Sequence, residues 1–129
     1  MELHVSERKA GLLAVPPQVR AKFERLTREW KSQSEFLSSP TAIALLPAYQ
    51  KIIGMGPDIV PLILHELERE PDQWFWALKA ITDADPVPPE HAGAVDLMVE
   101  DWLRWGREQG LVYGTVVQFM RRARRTAAV

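Results

Sequence analysis

Apolar residues recur at helical spacing along most of this chain. Between residues 17 and 37, Val19, Phe23, Leu26, Trp30, Gln33 and Leu37 fall at alternating steps of four and three, while Arg20, Lys22, Glu24, Arg25, Arg28, Glu29 and Lys31 take the other positions. That period predicts an amphipathic helix with one buried side. A second apolar stretch, 40–53, contains Pro47, which predicts a kink or a split because proline removes a backbone donor and crowds the preceding turn. Ile59, Val60, Ile63, Leu64 and Leu67 mark a third helix to about residue 70. Trp74, Ala77, Leu78 and Ile81 mark a fourth over 73–83. Val95, Met98, Val99, Trp102 and part of Trp105 form the inward side of a fifth, over 94–109.

Turn residues punctuate these helices. Ser39 before Pro40 is an N-cap followed by proline at the first helical position, and Gly110 is a C-terminal stop. Asp58 is the expected cap of the third helix and Asp72 of the fourth. The stretch DADPVPPEHAG, 83–93, with three prolines and three acids, reads as an irregular connection. The following LVYGTVVQF is compatible with a strand or a sixth helix; a lone strand would have no partner, which favours helix.

A chain of 129 residues, 47% hydrophobic and 26% charged, suits a single domain with one core. The absence of cysteine removes disulfides and thiolate chemistry and suits a reducing compartment. Charge in the N-terminal stretch, with Gly11, Pro16 and Pro17 interrupting its apolar part, argues against a signal peptide or membrane span and for a cytoplasmic setting. The formal net charge of −1 conceals an uneven distribution. Arg121, Arg122, Arg124 and Arg125 close the chain, leaving residues 1–120 with twelve basic and seventeen acidic groups.

Motifs that carry chemistry are largely missing. Gly54-Met55-Gly56 lacks the third glycine of a dinucleotide fingerprint, since Ile59 stands there, and a helix stop explains the pair. No phosphate-cradling GKS or GKT and no GxSxG occurs. His4, His65 and His91 have no metal-binding spacing, and His65, at the edge of the aliphatic inner face of its helix, reads as a partly solvated histidine. Asp83, Asp85, Glu90 and His91 are the one carboxylate–imidazole grouping, but they miss the oxygen, glycine and glutamate positions of a calcium loop, so caps and solvated loop charges account for them. No metal or cofactor is expected.

The aromatics are more informative. Trp74, Phe75 and Trp76 are consecutive, and at about 100° per residue they fan around a helix too widely for one side to bury all three. Trp74 belongs with the core stripe and Phe75 at its edge. Trp76 shares its side with Lys79, Ala80 and Asp83, so either the helix is packed on both sides or Trp76 is an exposed anchor of the type found at protein-binding hot spots. Trp30 and Trp105 border polar residues but read as core.

The segments PAYQKIIGMG (47–56), WFWAL (74–78) and LRWG (103–106) resemble those of a family of small, uncharacterised bacterial helical proteins, over about residues 24 to 110. The stretch from Ile53 to Val87 also resembles a HEAT-type helical hairpin. The resemblance implies a helical fold and a bacterial, intracellular setting.

The expected architecture is therefore all-α, a compact five- or six-helix domain with a HEAT-like antiparallel pair formed by the third and fourth helices. Residues 1–16 are expected as a flexible lead, 17–120 as the domain and 121–129 as a basic tail. The expected function is a non-catalytic protein–protein interaction module, as an antitoxin, immunity or adaptor partner of another bacterial protein encoded nearby, with Trp76, Lys79 and Asp83 at its contact surface. The alternative is nucleic-acid binding through Arg121, Arg122, Arg124 and Arg125 with Arg20, Lys22 and Arg28. No membrane partner is expected, and an enzyme built on the 83–91 loop comes third.

Overall fold

Proline marks the first turn of four helices. In the computed structural model, which describes residues 15–111, Pro17, Pro40 and Pro47 each open a helix, and Pro61 stands in the first turn of another. A proline there lacks only an N–H that has no intrahelical partner. Six α-helices result among the described residues: α1 (Pro17–Ser34), α2 (Pro40–Ala44), α3 (Pro47–Gly54), α4 (Val60–Arg69), α5 (Phe75–Thr82) and α6 (Val95–Glu108), with 3₁₀ turns at Pro57–Ile59 and Pro89–His91. Among the described residues the fold is all-α, with no strand and no helix long and apolar enough to cross a membrane. Residues 112–120 of the expected domain, and the question of strand or helix there, lie outside the described residues.

The turn chemistry acts largely as expected. Ser39 accepts a hydrogen bond from the Ala42 N–H at 3.3 Å and so caps α2, and Pro47 splits the second apolar stretch, with Leu46 extended before it. At the end of α6, Gly110 has φ +71°, its N–H bonds the Arg107 carbonyl, and the Leu111 N–H reaches back to Gly106 at 2.8 Å, which satisfies the terminal carbonyls.

Four expectations need correction. Helix α1 stops at Ser34; Gln33, in its last turn, is exposed, and so is Leu37, because the chain has left the helix to reach the Ser39–Pro40 start and carries that position off the core. Asp58 does not cap α4; it lies within the Pro57–Ile59 turn that follows the left-handed Gly56 (φ +81°), and Ile59 precedes the helix. Asp72 accepts only from the neighbouring Gln73 N–H, at 2.7 Å, and α5 begins later than expected, at Phe75. Val95 is exposed because it opens α6, one turn ahead of the part that packs.

The cap that α5 lacks comes from elsewhere. Tyr49, fully buried on α3, accepts the Ala77 N–H at 2.8 Å and donates to the Gln73 carbonyl at 2.8 Å. Ala77 is the third residue of α5, the position whose N–H an N-cap side chain ordinarily takes. Burial pushes the Tyr49 phenol up, so it stays a neutral donor and acceptor. Tyr49→Phe is expected to cost about 1–3 kcal/mol by stranding a buried N–H and a carbonyl. Urea denaturation checks this; an unchanged midpoint would mean that water or another group caps α5.

Around that bond the core is aromatic. Trp30 packs against Trp74 with ring centroids 4.6 Å apart and against Tyr49 at 5.0 Å, and Phe23 stacks on Trp74 at 5.7 Å. The Trp30 indole N–H donates to the Ile43 carbonyl at 3.2 Å, which ties α1 to α2. Helix α1 packs chiefly on α3, α3 also on α5, and α4 chiefly on α6. Helices α4 and α5, the suggested HEAT-like pair, touch each other but pack more extensively on α6 and α3 respectively. Val15, placed in the lead segment by the sequence, is buried against this core.

Candidate functional site

Helix α5 has one buried and one exposed side. Phe75, Ala77 and Leu78 are buried, while Trp76, Lys79, Ala80 and Asp83 follow one another at steps of three, one and three on the opposite side and are all exposed. Trp76 retains 44% of its accessible surface, whereas Trp30, Trp74 and Trp102 retain none. Trp76, Lys79 and Ala80 line a depression of about 340 Å³. Asp83 ends the helix in the left-handed conformation (φ 61°), its N–H bonded to the Lys79 carbonyl at 2.9 Å. Thr82 fixes the exit by donating to the Leu78 carbonyl and accepting from the Ala84 N–H. The Lys79 ammonium lies 3.4 Å from Asp85. Of the three residues expected at a contact surface, Trp76 and Lys79 thus share one side of α5 and Asp83 is the exposed residue that ends it, with Asp85 beside Lys79.

A second cluster joins the Pro89–His91 turn to the middle of α6. Asp101 is buried, its side chain 2% exposed, and its two oxygens meet His91 Nδ1 and Arg104 Nη2, each at 2.7 Å. With the proton on Nδ1, His91 donates to the carboxylate and the Pro89–His91 turn is tied to α6. Asp101 was not singled out from the sequence. The available signal was its register, because Met98, Asp101 and Trp105 follow at steps of three and four along the inward side of α6.

The grouping of Asp83, Asp85, Glu90 and His91 is not one site. Asp85 turns to Lys79 and His91 to Asp101, while Asp83 and Glu90 are exposed. No three His, Asp or Glu side chains among the described residues are placed to hold a metal ion. His65 is half-buried in the middle of α4, as its place at the edge of the aliphatic side suggests.

Of the residues considered for nucleic acid, Lys22 and Arg28 are exposed on α1, interleaved with the exposed Glu24 and Glu29, and Arg20 is half-buried with its guanidinium donating to the Val15 carbonyl at 3.5 Å. Arg121, Arg122, Arg124 and Arg125 lie outside the described residues.

What fold and sites together define is a small all-α protein with an aromatic core and one exposed tryptophan on a short helix. No family model, curated protein or solved structure matches the chain.

Proposed function

We propose that the protein is a non-catalytic interaction module of the bacterial cytoplasm that binds another protein through the exposed side of α5. The observation that carries this reading is the exposure of Trp76 beside the depression that Lys79 and Ala80 also line. A large aromatic left in water forgoes the stabilisation of burial, and tryptophan is among the residues most enriched where partners dock. Lys79 and Asp83 provide a polar rim around it. The partner in this reading is encoded beside the protein, with the protein as its antitoxin, immunity or adaptor counterpart.

Trp76→Ala separates a docking role from a structural one. The substitution is expected to leave stability within about 1 kcal/mol of wild type, because no core contact is lost, and to weaken partner binding by about 2 kcal/mol or more. A urea denaturation curve is measured beside a titration against the protein that co-purifies from the native host. A variant of normal stability that binds at full strength overturns the proposal, and so does one destabilised by several kcal/mol, since Trp76 would then be a packing residue.

A further inference from the structure

We infer that the partner segment seated on Trp76 is basic, with an arginine or lysine stem lying over the indole; the inference rests on the docking role proposed for α5. Between residues 70 and 101 the chain has eight carboxylates and one lysine or arginine, Lys79. Four of the eight are internally balanced. Glu70 and Asp72 share Lys31, at 3.2 and 3.8 Å, Asp85 takes Lys79 at 3.4 Å, and Asp101 is held by His91 and Arg104.

The other four, Asp83, Glu90, Asp96 and Glu100, are exposed and form no ion pair among the described residues. Asp83 is the exposed residue that ends α5, one turn beyond Lys79, and Asp85 already neutralises the Lys79 ammonium. Lys79, the charged residue that lines the depression, is offset by Asp85, which leaves the exposed Asp83 at the end of α5 as the uncompensated charge beside it, and in sequence the chain runs on through Glu90, Asp96 and Glu100 without an intervening lysine or arginine. A cationic segment is steered to such a surface and an acidic one is repelled. At the anchor, an arginine or lysine satisfies both neighbours, its methylenes covering the indole face and its charged head reaching a carboxylate. Arginine is the better occupant, because its planar guanidinium stacks on the ring.

The test uses the full chain and two probes, a short synthetic peptide of alternating arginine and leucine and its glutamate–leucine counterpart, titrated calorimetrically. The arginine peptide is expected to bind saturably and the glutamate peptide not to bind. Trp76→Ala should weaken the arginine peptide about tenfold or more. Asp83→Asn with Asp85→Asn should weaken it about fivefold, and added salt should weaken it further. Asparagine is suited to the left-handed backbone at Asp83, so that variant should fold normally. Removing the same charge from α1, with Glu24→Gln and Glu29→Gln, should change affinity less than about twofold.

Loss of affinity on Trp76→Ala with no effect of the Asp83 and Asp85 changes leaves the anchor standing and overturns the basic partner. Equal binding of both peptides, or no saturable binding of the arginine peptide, also overturns it. Binding that develops only after residues 121–129 are deleted identifies the chain's own arginines as the occupant and overturns a separate partner. Full-strength binding by Trp76→Ala overturns both this inference and the docking role beneath it.

Discussion

Trp74→Ala is expected to strip away a large part of the protein's stability. Trp74 is fully buried and its ring meets three others, Phe23 and Trp30 from α1 and Tyr49 from α3. Truncating a buried tryptophan costs about 3–5 kcal/mol, a large part of the 5–15 kcal/mol that ordinary domains possess. The indole N–H of Trp74 has no hydrogen-bond acceptor among the described residues, so the loss is one of packing. Trp74→Phe should accordingly retain much of the stability that Trp74→Ala loses. In thermal melts Trp74→Ala should fall by roughly 12–20 °C, at about 4 °C per kcal/mol for a chain between the smaller and larger domain classes. A melt within a few degrees of wild type would show that the ring cluster around Trp74 does not hold the fold together.

That Trp74 is core was legible, because the stripe of Trp74, Ala77 and Leu78 has the helical period and all three are fully buried. The placement of Trp76 was legible only as a choice. Helical geometry forces Trp74 and Trp76 to different sides, but whether a neighbour covers the second side depends on how distant helices pack, and residue spacing does not encode that. Tyr49 shows the same limit. Turn chemistry near Asp72 pointed to a local cap for α5, whereas the hydroxyl that takes the Ala77 N–H comes from a residue 28 positions earlier.

Local rules succeeded where one residue type meets a strict backbone demand. Ser39 before Pro40 and Gly110 after α6 act as their sequence suggests. They failed where the hydrophobic period outlasts the helix. Leu37 keeps the register of the α1 stripe but is exposed, and the adjacent Phe36 is 92% exposed, because the helix has ended and the side chains no longer point along its buried face. Val95 fails in the mirror sense, in register but ahead of the packed part of α6.

Asp101 was the least legible residue, and it carries the second large expected effect. Its carboxylate is out of water and depends on two groups that are not: His91 is 32% and Arg104 57% exposed. Removing both partners, with His91→Ala and Arg104→Ala together, leaves a buried charge with no compensation and is expected to cost about 3–5 kcal/mol. Either change alone should cost less, because the remaining donor still holds one oxygen. Arg104→Ala should be the milder, since water screens the more exposed partner. The two substitutions should therefore be more damaging together than their sum, the mark of a shared partner in a double-mutant cycle. Adding Asp101→Leu to the pair removes the stranded charge, and stability should return most of the way to wild type, because a buried ion cluster replaced by apolar groups of similar volume is often neutral. Urea denaturation of the four variants measures each step. If the His91→Ala, Arg104→Ala protein is as stable as wild type, Asp101 reaches water on its own, and its two neighbours do not hold the Pro89–His91 turn to α6.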